Sequence, residues 1–280
     1  RQASKSYATE RGVVSAVTAI DLDVPAGRFA AIIGRSGSGK STLMAMIGGL
    51  SRPSGGTVEV DGIDVWRLSE NARAAFRNEK IGYVFQFASL LPTLRLIDNV
   101  ALPAMLGRRR PVPEIHTRAA GLLERLGLGA YFDAYPSEIS AGEQRRVAIA
   151  RALINDPALL LADEPTSDLD EQTEIEIMDE LLAVNREVGT TLVLVTHNLA
   201  LADQAEQIVH IANGAIVPVG SGGQICVYTS ARTDMIIDVS GYFGSAASYV
   251  ALPPKRAYDT RSGSIRVDRT SSCFTMEGKF

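Results

Sequence analysis

Residues 34 to 41 read Gly34-Arg35-Ser36-Gly37-Ser38-Gly39-Lys40-Ser41 and fit the pattern G-x-x-x-x-G-K-[ST] without a mismatch. Few eight-residue runs constrain a fold so strongly. Successive backbone N–H groups can turn inward onto phosphate oxygens only where glycines permit the turn. A helix starting near Lys40 would add its positive dipole end. The flanks agree, because Phe29 to Ile33 is an apolar run of strand length and Ser41 to Leu50 reads as a helix. The expectation is a strand–loop–helix unit that cradles phosphate, with Lys40 reaching the β- and γ-phosphates and Ser41 ligating Mg²⁺.

The second constraint is Leu159-Leu160-Leu161-Ala162-Asp163-Glu164, an apolar strand with two carboxylates at its tip. Burying such a charge unpaired is costly, so a metal or a protonated partner is implied. Asp163 suits the outer contact to Mg²⁺, and Glu164 suits polarisation of an attacking water. Thr191 to Val195 is a further buried strand. Between them, Glu171 to Glu187 places Ile175, Ile177, Met178, Leu181, Leu182 and Val184 on one helical face, with its acids towards solvent. Strands alternating with helices predict an α/β domain whose site lies beyond the carboxyl ends of the strands.

Composition changes along the chain. Of 280 residues 46% are apolar, enough for a core, and the formal net charge is -4. That mean conceals two bodies, since the first 219 residues carry -6 and the last 61 carry +2 with both cysteines. An acidic first body argues against a nucleic-acid groove, which needs concentrated positive charge. No run approaches the roughly 18 apolar residues of a membrane span, and no leader is signalled at the start. Gly220-Ser221-Gly222-Gly223 marks the seam between residues 1–219 and 220–280.

Five further motifs, in order and at family spacing, make the first body resemble the ATP-binding cassette (ABC) ATPases. Tyr7 matches the aromatic residue that stacks on adenine, and Gln86 matches the glutamine-loop residue that contacts Mg²⁺ and water. Ile139-Ser140-Ala141-Gly142-Glu143 resembles the signature, with Ser140 and Gly142 at the positions that contact ATP on the opposite subunit. Ser167-Asp168-Leu169-Asp170 matches the loop that crosses the dimer interface, and His197 matches the switch histidine. Arg108-Arg109-Arg110 reads as a solvated loop, and His116 and His210 as structural residues.

The resemblance implies a RecA-like P-loop core with an antiparallel β edge and a helical subdomain over about residues 87–155, followed by a short β-rich tail. It implies ATP and Mg²⁺ as ligands, with contacts from Gly34 through Thr42, Tyr7, Ser140, Gly142 and Asp170, and metal contacts from Ser41, Gln86 and Asp163. Glu164, His197, Gln86 and Lys40 would carry hydrolysis. Ala141 stands where the family has a glycine, and the expectation is weakened but surviving turnover.

Phe87-Ala88-Ser89-Leu90-Leu91-Pro92-Thr93 and Asp98-Asn99-Val100-Ala101-Leu102-Pro103 look like the lipoprotein-release, macrolide-export and cell-division branch. That branch implies a cytoplasmic subunit, peripheral on the inner face of the membrane, that pairs with a second copy. It would drive a separate permease bearing a periplasmic domain, with Leu90, Leu91 and Leu94 as candidates for the permease groove. An ATP-gated regulator of cell-wall enzymes, transporting nothing, is the alternative.

The tail reads as two strands, Gln224 to Ser230 and Asp234 to Val239, joined by a turn at Ala231-Arg232-Thr233. Thr233 to Phe243 with Asp259-Thr260-Arg261 is similar to β-rich repeats of exported bacterial surface proteins. Cys226 would suit a disulfide there and a reduced thiol in cytosol. An exported-type tail on an ATP-using body points to a fragment or chimeric join.

Overall fold

A computed structural model of the chain describes residues 1–9, 12–107, 110–216, 224–227, 236–243, 249–259 and 272–275. The chain divides into two compact units, Arg1–Ile216 and Val217–Phe280. The first opens with strands β1 (Ala3–Thr9) and β2 (Gly12–Ile20), which pair antiparallel. Then follow β3 (Phe29–Ile33), α1 (Lys40–Ile47), the short antiparallel pair β4 (Glu59–Val60) and β5 (Ile63–Asp64), α2 (Glu70–Lys80) and β6 (Ile81–Val84). Helices α3 (Leu96–Gly107), α4 (Val112–Arg125) and α5 (Ala141–Leu153) lead to β7 (Leu159–Asp163) and α6 (Glu171–Val188). The unit ends with β8 (Thr191–Val195), α7 (Leu199–Ala202), β9 (Gln207–Ala212) and β10 (Ala215–Ile216).

Six strands form the central sheet in the order β10-β9-β3-β8-β7-β6, parallel except for the edge strand β10. Every residue of β3 and β8 is buried, which is why β3 and, after Thr191, β8 read as apolar runs rather than alternating ones. β8 lies between β3 and β7, so the three strands with polar tips are adjacent. One apolar cluster joins Leu160, Leu192 and Leu194 to α3, α4, α5 and α6. A second joins Ile32, Leu161 and Val193 to Met44 and Met46 of α1 and to Val17 and Ile20 of β2.

Helix boundaries follow their caps. α6 starts where Asp170 accepts a hydrogen bond from the Thr173 N–H and stops at Gly189, which is left-handed at φ 72°. α1 ends at Ile47, three residues short of the expected Leu50. Gly49 turns left-handed at φ 66°, and the N–H groups of Leu50 and Ser51 fold back onto the Ala45 carbonyl. Two of the three arginines 108–110 lie outside the described residues, while Arg110 bonds the Ile154 carbonyl and pairs with Asp156.

In the second unit β11 (Gln224–Val227) pairs antiparallel with β14 (Ser272–Thr275), and β12 (Ile236–Phe243) with β13 (Tyr249–Asp259). Among the described residues the first two tail strands do not pair with each other as expected, and the expected turn lies outside the described residues. β12 runs on to Phe243 and meets β13 after a short connection, with Phe243 opposite Tyr249.

Candidate active site

The loop from Gly34 to Ser41 leaves the tip of β3 and enters α1. At Gly39 φ is 103°, and a Cβ there would stand 2.2 Å from the Ala16 carbonyl oxygen, so position and conformation both demand glycine. Lys40 is buried, and its Nζ donates to the carbonyls of Gly34 at 2.8 Å and Arg35 at 3.1 Å. Among the described residues this ammonium has carbonyl hydrogen bonds and no direct ion pair, although it lies within the field of Asp163. The buried Ser38 hydroxyl has no hydrogen-bond partner at all. Arg35, Ser36 and Gly37 are exposed, as is Ser41, and Thr42 is half-buried. These groups form a lined cradle with unsatisfied donors, which fits a polyphosphate.

β7 brings Asp163 and Glu164 to the same end of the sheet. Burial pushes the Asp163 carboxyl up from its ordinary value, against the pull of the Ser41 hydroxyl and of Lys40. A half-buried carboxyl beside a serine hydroxyl offers the oxygen donors that would hold Mg²⁺ along with phosphate oxygens. Among the described residues no three His, Cys, Asp or Glu cluster.

Glu164 adopts φ 45°, and its N–H is bonded to the Val195 carbonyl at 2.9 Å. A non-glycine residue held there stores strain, of order 1–3 kcal/mol, that the surrounding structure must impose. His197 Nδ1 lies 3.2 Å from Glu164 Oε2, with the ring largely exposed. Strand adjacency makes this contact, since His197 follows β8 by two residues and Glu164 follows β7 by one.

Glu174 was not singled out from the sequence. One carboxylate oxygen accepts from Thr166 Oγ1 at 2.7 Å and the other from Asn198 Nδ2 at 3.1 Å, tying the segment after β7 to the segment after β8. The acids of α6 are thus not only a solvent face, since Glu176 and Glu180 also pair with Arg146 of α5.

Gln86 is exposed, two residues beyond the end of β6. Tyr7 is exposed on β1 with Lys5 Nζ 5.0 Å above its ring, leaving an accessible aromatic surface.

Ser140, Gly142 and Asp170 form a second cluster at the starts of α5 and α6. Ser140 caps α5 in a capping box, donating from its N–H and hydroxyl to Glu143 Oε2 at 2.8 and 2.7 Å. Ala141 is the first helical residue and lies outside the positive-φ set, so its methyl adds no backbone strain. Gly142 approaches Thr173 so closely that a Cβ would meet its methyl at 2.7 Å. Asp170 accepts from the Thr173 N–H and hydroxyl, and these bonds hold its carboxyl below the usual range. Among the described residues no hydrogen bond or ion pair joins this cluster to Lys40, Asp163 or Glu164.

The model of the family described as ABC transporter matches residues 17–167. The lipoprotein-releasing system ATP-binding protein LolD of Pseudomonas fluorescens is 42% identical over 219 residues, 78% of this chain and 96% of that protein. The uncharacterized ABC transporter ATP-binding protein YknY of Bacillus subtilis is 45% identical, covering 78% and 94%. The macrolide export ATP-binding/permease protein MacB of Syntrophobacter fumaroxidans is 46% identical over 76% of this chain but only 30% of that protein. Among solved structures, the ATP-binding cassette MJ0796, in a post-hydrolysis dimer bound to ADP and Pi, superposes with a TM-score of 0.73 at 37% identity. That match covers 78% of this chain and 95% of the other.

Proposed function

This chain belongs to the ABC transporter family as an ATP-hydrolysing nucleotide-binding subunit, and we propose that two copies enclose two ATP molecules to drive a separate membrane permease. The observation that carries the reading is the convergence of Lys40, Asp163, Glu164 and His197 at the tips of three adjacent strands. ATP would lie along the Gly34–Ser41 loop with its adenine on Tyr7. Gly34, Arg35, Ser36, Gly37, Ser38, Gly39, Ser41 and Thr42 would surround the phosphates.

Ser41 and Asp163, with Gln86, would hold Mg²⁺, whose charge would offset that of the phosphates. Lys40 and the loop amides place positive charge where it develops on the transferring group. Glu164 accepts a proton from the attacking water, and His197 orients that carboxylate through Nδ1. Ser140 and Gly142 of one copy, with Asp170 beside the interface, complete the site of the other. A dimeric arrangement gives the second cluster a phosphate to contact that it does not reach by any hydrogen bond among the described residues of its own chain. The dimeric cassette MJ0796, bound to ADP and Pi, is a structural precedent for it.

Phe85, Phe87 and Leu91 are exposed near Gln86, and we assign that patch to the permease. Leu90 and Leu94, expected in the same groove, are half-buried, and Leu90 packs on the core. No helix among the described residues is long and apolar enough to cross a membrane. A peripheral position on the cytoplasmic face follows from the proposed partner. The names of the relatives support lipoprotein release or macrolide export as the cargo class. Residues 1–219 carry this function, and 220–280 are an appendage without a catalytic part.

Glu164→Gln tests the assignment. The variant should bind ATP, release phosphate at least about a hundredfold more slowly, and accumulate as an ATP-dependent dimer in size-exclusion chromatography with light scattering. Wild-type phosphate release by that variant removes Glu164 from the mechanism.

A further inference from the structure

Arg145 is only 4% exposed, yet among the described residues it forms no ion pair. Its Nη1 donates to the Phe85 carbonyl at 2.7 Å, and its Nε–H is buried without a partner. A cation is expensive to bury. Burial pulls its pKa down, and Asp168 is the carboxylate whose field opposes that. The carbonyl it holds belongs to the residue just before Gln86. Residues 85–91 contain no strand or helix, so their carbonyls have no ladder to join. A second arginine of the same helix takes two more of them: Arg151 donates to Ala88 and Ser89, each at 2.8 Å. The far end of that helix is capped by Ser140, about 7.5 Å along the axis from Arg145 at the rise of an α-helix.

We propose that Arg145 is a positioning residue that fastens the Gln86 segment to the helix bearing Ser140, so that both follow one movement of α5. The inference rests on the roles given above to Gln86 and Ser140. A buried guanidinium suits this task because its reach spans from α5 to an unpaired main-chain carbonyl that a neutral side chain of similar length would leave unsatisfied. Asp168, in the loop after β7, brings a third moving part under the same charge.

The first test is amide hydrogen exchange on the nucleotide-free full chain. In Arg145→Met, which keeps the aliphatic stem, exchange over residues 86–91 should rise about tenfold while residues 147–153 stay as in the wild type. Arg145→Lys should recover much of the protection. Arg151→Met should loosen residues 88–91 and spare Gln86, which keeps the test alive if Arg145→Met does not fold. In steady-state hydrolysis Arg145→Met should lower kcat about tenfold with KM for ATP within about twofold. Added to Gln86→Ala it should cost nothing further.

Unchanged exchange at 86–91, a rise that spreads through α5, or additivity with Gln86→Ala would overturn the proposal. Were Gln86→Ala itself harmless, the role of Gln86 would fall, and the exchange data would still decide the tether.

Discussion

Gly142 has two explanations that one pair of variants separates. It is either small because a phosphate from the partner must approach, or small because Thr173 is in the way. The structure makes the second quantitative. A Cβ at 142 would lie 2.7 Å from the Thr173 methyl, inside any tolerated contact. Thr173 cannot swing aside freely, since it is β-branched and its hydroxyl and N–H are both engaged with Asp170. Overpacking of this kind costs about 1–3 kcal/mol. Alanine in a helix recovers up to about 1 kcal/mol relative to glycine. The net loss for Gly142→Ala is therefore about 1 kcal/mol, a fall in Tm of about 2–4 °C for a unit of this size.

Thr173→Ser deletes the methyl and keeps the hydroxyl. On that background the clash disappears, the helix preference remains, and Gly142→Ala should raise Tm by a similar amount. The assay is thermal melting of the four proteins of the cycle without nucleotide, with ATPase rates alongside. A change of the same sign in both backgrounds refutes the steric argument. Hydrolysis that stays low in the stable double variant would show that the phosphate also requires glycine.

Asp163→Asn should raise Tm at neutral pH in nucleotide- and Mg²⁺-free protein while abolishing hydrolysis. Burial raises the folded-state pKa of Asp163, so the native state favours its neutral form. The penalty appears as pH rises above the ordinary aspartate value and should vanish in acid, which melting curves at both pH values would reveal. Ala141→Gly should raise turnover through room at the partner's nucleotide, because no strain is relieved at this helical position. An unchanged rate at saturating ATP would show that the alanine is harmless. Ending the chain after Val219 should leave both Tm and ATPase rate at wild-type values, and a loss in either would give the tail a role.

Some of this was legible from the residues alone, for identifiable reasons. Phe29–Ile33, Leu159–Asp163 and Thr191–Val195 announce themselves because a strand covered on both faces reads as an almost unbroken apolar run. The loop at Gly34 to Ser41 is legible because local backbone geometry demands glycine. What depends on distant parts of the chain was hidden. Nothing in Glu174 says that it bridges Thr166 and Asn198, since an acid in the first turn of a helix reads as solvent-facing. Arg145 was invisible for the same reason: periodicity marks charged positions as exposed, and only the path of residues 85–89 beneath α5 buries it. Two of the described tail strands, β11 and β12, were recognisable as strands, while β13, β14 and all of the pairings were not. Pairing depends on which segments the chain can bring together, not on the composition of either strand alone.

The position of β3 in the middle of the sheet also bears on synthesis. Its Phe29 pairs with Leu192, roughly 160 residues later, and its other neighbour is β9, later still. At typical translation speeds the strand leading into the phosphate cradle waits about 8–33 s for either edge to be covered. Throughout that interval five consecutive apolar residues with two open edges are displayed to every other nascent chain nearby. A slowed ribosome before residue 191 should therefore harm this protein more than a comparable pause after it, with aggregation preceding any loss of intrinsic stability.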